Sequence, residues 1–157
     1  MTWTAPRTWV TSEVVTAAVM NTHVRDNLKA IGDAWASYTP TLSNWTLSNG
    51  TLAGYYMQAG KLVIGRIEYT VGSSDSKSGG PVFALPAATA AGKAGLPLGR
   101  AYLFDTSAGT KNYRNVVQNG STGVFMADDS DTRLSPTAPW TWATGDQMFL
   151  TFLYEAS

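Results

Sequence analysis

Residues 38–86 read YTPTLSNWTLSNGTLAGYYMQAGKLVIGRIEYTVGSSDSKSGGPVFALP. Short aromatic and β-branched runs alternate there with Asn49-Gly50, Gly54, Gly60, Gly72 and Gly79-Gly80, a punctuation that predicts antiparallel strands joined by hairpins. Within the stretch, residues 61–71 (KLVIGRIEYTV) put Ile67, Tyr69 and Val71 on one face and Arg66, Glu68 and Thr70 on the other, the pattern of a half-buried strand. Working outward toward the C-terminus, further strands are expected at residues 98–105, 112–118, 122–126 and 147–154. The last of these, QMFLTFLYE, is apolar on both faces from Met148 to Leu153, which assigns it to the centre of a sheet or to a contact between subunits. Residues 87–97 (AATAAGKAGLP) are small and read as a flexible loop outside the core.

Toward the N-terminus the period changes. Thr16 is placed to cap a helix, and Ala17, Met20, Val24, Leu28 and Ile31 follow at spacings of three and four that bring them to one face, with Gly32 as a stop. Thr22, Arg25, Asp26 and Lys29 occupy the other side. Helices of about 12–15 residues are marginal alone in water, so this stripe needs a cover: neighbouring copies in a short three-helix bundle, or the chain's own sheet. Residues 1–11 carry Trp3 and Trp9 around Pro6, too short a segment to bury two indoles by itself. Such rings on an extended arm signal docking, the plainer reading being an arm folded back on its own helix or knob. The chain therefore divides into a docking arm and amphipathic helix at residues 1–36 and a mainly β knob at residues 37–157, expected as an antiparallel β-sandwich of jelly-roll type.

Composition narrows the function classes. A length of 157 residues supports one modest core. Eleven basic and eleven acidic residues leave no net charge, hence no electrostatic footprint for nucleic acid or an anionic membrane surface. Cysteine is absent, which removes disulfides, thiolate chemistry and Cys-ligated metals. The start MTWTAPRTWV has no signal-peptide pattern and no apolar run reaches the ~18 residues of a spanning helix, so synthesis in a cytoplasm is expected.

No catalytic constellation emerges, and the chain reads as a non-enzyme without a cofactor or metal. His23 is the single histidine and lies mid-helix without a nucleophile elbow beside it; a solvated or trimer-axis position is its expected role. Asp128, Asp129 and Asp131 resemble a fragment of a Ca²⁺ loop but lack its turn glycine and distal glutamate, and read as a solvated turn. Glutamate occurs only at Glu13, Glu68 and Glu155, a thin basis for paired-carboxylate glycoside cleavage. Phosphate-loop and dinucleotide fingerprints are missing.

Aromatic residues are in surplus. Trp35, Tyr38, Trp45, Tyr55, Tyr56, Tyr102, Tyr113, Trp140 and Trp142 exceed the needs of a small core, and rings with polar handles suit sugar faces and protein partners. Trp140 and Trp142, in SPTAPWTWATGD between prolines and Gly145, are expected to face a ligand at the end of the knob away from the helix.

Several of these stretches occur together in a known setting. YTPTL, NWT, NGT, a Gly-Tyr followed by Gln and Gly-Lys, and an ALP run after a Gly-rich turn resemble the C-terminal knobs of tailed-bacteriophage virion proteins, and TWTAPRTWV with VVTAAVMNTHVRDN resembles the segment that precedes such knobs. The resemblance spans nearly the whole chain. It implies a structural protein of the virion surface, released on lysis: a homotrimeric short fibre, minor tail protein or capsid decoration. Trp3, Trp9, Met20, Val24, Leu28 and Ile31 would serve as its anchor to other virion proteins, major capsid or tail, and the knob would be free to meet host cell-surface polysaccharide. A free carbohydrate-binding module is the alternative, one in which the arm and helix have no purpose.

Overall fold

The computed structural model describes residues 4–90 and 95–157. The helical segment begins where expected. The Thr16 hydroxyl accepts a hydrogen bond from the Val19 N–H at 3.3 Å and caps α1 (Ala17–Met20). It continues without a break through a π-helical turn, Asn21–Arg25, into α2 (Asp26–Gly32), after which Asp33 is extended. A π turn bonds i to i+5 and so holds one residue more per loop than an α turn. Two turns then take up about eight residues instead of seven, which keeps Met20 and Leu28 on one face with Val24 between them.

Nine strands follow: β1 (Ala36–Tyr38), β2 (Leu42–Thr46), β3 (Thr51–Ala59), β4 (Leu62–Thr70), β5 (Ser76–Ala84), β6 (Pro97–Asp105), β7 (Thr110–Asn119), β8 (Gly123–Ala127) and β9 (Gln147–Glu155). They form one antiparallel sheet in the order β1-β3-β4-β9-β6-β7-β8-β5-β2. The fold is thus mainly β, as the alternation requires. Its shape follows from the order. β1 and β2 lie at opposite edges, yet only residues 39–41 join them, and that link reaches at most about 14 Å. The sheet must curl until its edges meet. Ala84 N–H donates to Thr41 O at 2.9 Å and the Tyr38 hydroxyl to Ala84 O at 3.4 Å, so both edges converge on the end of β5.

The concave side holds the core. Val63, Ile67 and Tyr69 of β4, Met148, Leu150, Phe152 and Tyr154 of β9, Leu103 of β6, Val116 of β7, Val124 and Met126 of β8 and Phe83 of β5 all point into it. Trp45 joins them through a bulge: Asn44 takes φ 66° and the register shifts, turning the indole inward to donate to Gly79 O at 2.6 Å. β9 is central, paired with β4 and β6, and buries alternate residues while Phe149, Thr151 and Leu153 face out.

Three glycine signals work differently from the hairpin reading. Asn49-Gly50 lies between β2 and β3, which do not pair with each other, so it is a connection across the barrel end and not a hairpin turn. Gly54 sits inside β3, where a Cβ would come within 2.3 Å of the Tyr38 ring. Gly79-Gly80 lies inside β5, and a Cβ at Gly80 would meet the backbone of Leu134 at 2.5 Å. The glycines in these strands mark close approaches instead of breaks. The flexible loop expected at 87–97 is partly tied down: Thr89 is buried, its N–H donates to Ser121 O at 2.8 Å, and Ala90 N–H donates to Glu155 O at 2.8 Å. Residues 91–94 lie outside the described residues.

Candidate functional site

The two faces of the helix have separate fates. Asn27 and Ala30 are buried. Asn27 clasps the arm, accepting from Thr4 N–H at 3.0 Å and donating to Thr4 O at 2.8 Å, while Ala30 lies beside Tyr56, Met57 and Gln58 of β3. The arm is braced further by the Arg7–Glu13 ion pair at 2.5 Å and by the Arg7 guanidinium over the Trp9 ring at 5.1 Å. Among the described residues nothing covers the stripe. Met20, Val24, Leu28 and Ile31 are exposed, Leu28 at 65 %, and so are Trp9 and Trp35. Of the two covers expected for the stripe, the chain's own sheet does not supply one. Trp3 lies outside the described residues. Leu62, Leu96 and Leu153 are exposed on the same helix-proximal end of the barrel, where Trp35, Ile64 and Leu153 line a shallow apolar trough.

The tryptophan loop does sit at the opposite end of the barrel, next to Val71 and Asp146, but its rings turn inward. Trp142 is 4 % exposed and packs against Trp45 at 5.8 Å; Trp140 is half-buried against Trp142 at 5.1 Å. Trp142 is therefore a core residue at this end of the barrel and not the ligand-facing ring expected, while Trp140 packs on it and keeps a partly exposed ring. The reason is volume. A curled sheet of nine strands leaves an open end, and Leu134, Trp140 and Trp142 fill it together.

Outward-facing rings occur elsewhere. Phe149 of β9, Tyr102 of β6 and Tyr113 of β7 lie opposite one another in register, and Phe104 follows two residues along β6. Tyr102 is the hub, 5.5 Å from Tyr113, 6.1 Å from Phe149 and 6.2 Å from Phe104. Tyr113 is 61 % exposed and Phe149 39 %. Sequence reasoning counted Tyr102 and Tyr113 among the surplus rings but did not separate them from core aromatics. In the strand Ala101 and Leu103 turn inward and Tyr102 and Phe104 outward, but all four are apolar, so the sequence carries no signal that separates the two faces.

The acidic turn is occupied by its own chain. Asp128 accepts from the N–H groups of Ser130 and Thr132 at 3.0 and 2.9 Å, and its other oxygen pairs with Arg114 at 2.6 Å. The Thr132 N–H in the first place holds this carboxyl below the usual carboxylate range. Asp129 instead accepts from Asn115 at 2.9 Å. Among the described residues no group of three His, Asp or Glu side chains is placed to share a metal ion. His23 lies on the Asn27 side of the helix, half-buried, and its main-chain carbonyl accepts from Asn27. Glu68 pairs with Arg66 at 2.7 Å and Glu155 with Lys61 at 3.6 Å. No helix among the described residues is long and apolar enough to cross a membrane. No protein-family model, curated protein or solved structure matches the chain.

Proposed function

We propose that the chain is a non-enzymatic structural protein on the surface of a tailed-phage virion, a homotrimeric short fibre or knob attached through its N-terminal arm and helix to the tail or the capsid. One observation carries the reading: a capped helix holds its arm on one face and leaves an aliphatic stripe bare on the other. Exposed aliphatic side chains at near-heptad spacing have no hydrogen-bonding handles for a sugar or nucleotide, and match the surface of another helix. Residues 1–32 thus supply two separable contacts, the stripe for neighbouring copies and Trp9 with its arm for the virion partner. The sequence resemblance supports the same setting.

Electron microscopy of particles from lysates of the source culture, labelled with gold-conjugated antibody to the chain, tests the proposal. Labelled heads or tails are the expected result, and label confined to the particle-free supernatant would refute it. In the same preparations Trp9→Ala should lower the amount of chain bound per particle by tenfold or more while leaving its melting temperature unchanged, because exposed aromatics at an interface act mainly on binding.

A further inference from the structure

We propose that Asn119-Gly120, at the turn between β7 and β8, is a site of spontaneous covalent modification, where water converts the asparagine through a succinimide into aspartate and isoaspartate. The inference is independent of the virion reading. Asn-Gly is the dipeptide most open to this chemistry, because no Cβ beside the glycine nitrogen blocks its approach to the preceding side chain. The chain holds two such pairs, Asn49-Gly50 and Asn119-Gly120, and the fold treats them in opposite ways. Asn49 is the more exposed of the two asparagines, yet every group the reaction needs is engaged there. Its amide donates to the Ser73 hydroxyl at 2.8 Å, its side-chain oxygen accepts from Ser74 N–H at 2.8 Å, and Gly50 N–H donates to the Asp75 carboxylate at 3.1 Å. Ring closure would take both donors away and leave the buried Asp75 short of a partner.

At Asn119 the same groups are free. Asn119 ends β7 opposite Gly123, and residues 120–122 are exposed. Among the described residues the Asn119 carboxamide has no hydrogen-bond partner and the Gly120 N–H no acceptor. Gly120 stands at φ 66° with nothing but its chain neighbours within 4 Å of where a Cβ would lie, so rotation at these two residues can bring the nitrogen onto the side chain. Hydroxide takes the Gly120 amide proton, the nitrogen bonds to Asn119 Cγ, and the carboxamide nitrogen leaves with a proton from water as ammonia. One water then opens the ring. Cleavage between the nitrogen and Cγ gives aspartate, cleavage between the nitrogen and the Asn119 main-chain carbonyl carbon gives isoaspartate, and the new carboxyl group releases its proton. Nothing is oxidised or reduced. Either product puts a carboxylate into the cleft lined by Thr41, Ser43 and Thr122. Isoaspartate also lengthens the main chain beside a turn whose Ser121 and Thr122 carbonyls accept from Thr89 and Leu85.

The test is incubation of the full folded chain in warm, mildly alkaline buffer, followed by peptide mapping with mass spectrometry and labelling of isoaspartate by an isoaspartyl methyltransferase. Product should accumulate at Asn119 at least tenfold faster than at Asn49, and faster as the pH rises. Isoelectric focusing should show a matching acidic species, absent from Asn119→Gln, whose longer side chain would have to close a larger ring. In the chain unfolded by urea both asparagines should react at comparable rates, which assigns the difference to the folded contacts. Equal rates at the two sites in the folded chain, no product at Asn119 while the unfolded chain reacts, or a difference that persists in urea would overturn the proposal. The comparison of Asn119 with Asn49 is made within the parent chain, so it stands even if the glutamine variant folds poorly.

Discussion

Asp75 shows how much of this knob hangs on single polar groups. One carboxylate oxygen accepts from the N–H groups of Ser48, Asn49 and Gly50 at 2.7, 3.2 and 3.1 Å; the other accepts from the Tyr69 hydroxyl at 2.7 Å and Gly72 N–H at 2.8 Å. It thereby organises the Asn49-Gly50 connection that has no strand pairing of its own. Burial alone would raise the Asp75 pKa, but the N–H groups of Gly72, Ser48 and Gly50 and the Tyr69 hydroxyl outweigh it and bring the group to about 2. Burial also pushes the Tyr69 hydroxyl up, with the Asp75 bond and charge adding to it. A folded pKa below the unfolded one means stability that is full above about pH 4 and is lost as the pH falls toward about 2. Asp75→Asn should therefore lower stability by about 2–3 kcal/mol near neutrality. The gap in melting temperature between parent and variant should then shrink between pH 4 and pH 2. Calorimetry showing a gap that stays constant through that window would rule out the carboxylate as its source.

At the scale of elements, the strands and the helix were legible because each is a local pattern. Ile67, Tyr69 and Val71 alternate with polar neighbours, and Thr16 precedes an apolar stripe, so both periods can be counted along the chain. What could not be read was contact between distant segments. Gly54 looks like punctuation in the sequence, yet it serves Tyr38 on the adjacent strand, and Trp142 looks exposed between Pro139 and Gly145 until the open barrel end that it fills is known. Outward Tyr102 and inward Leu103 are consecutive apolar residues, and only the register of β6 against β9 separates them. The Gly54–Tyr38 contact also identifies the weakest join. β1 has three residues, and its Tyr38 hydroxyl bridges to Ala84 where the sheet edges meet. Gly54→Ala should push the ring aside and destabilise the knob by about 1–3 kcal/mol. Hydrogen exchange should show protection lost first at β1 and at the Thr41–Ala84 junction; uniform loss over all strands would mean that the edges are not the weak point.

For the whole molecule, the decisive question is whether the exposed stripe brings three copies together, as the proposed function requires. Leu28 and Ile31 are exposed while Asn27 and Ala30, on the other face, tie the helix to its arm and to β3. A charge at Leu28 therefore has no folded contact within one chain to break, but it would be buried at a seam between helices, where an unpaired ammonium is strongly unfavourable. The flanks of the stripe carry Arg25 with Asp26 at 2.8 Å and Lys29 with Asp33 at 3.5 Å, so copies brought side by side meet both signs of charge and do not repel through a net excess. The expected mass in solution at micromolar concentration is three times the subunit's 16.8 kDa. Leu28→Lys should reduce it to one subunit with the far-ultraviolet spectrum of the knob retained. Light scattering on both proteins checks this. A parent that is already monomeric would remove the trimer from the proposed function, and a variant that stays trimeric would move its contact off the helix to the outward face of β9, where Leu153 stands exposed.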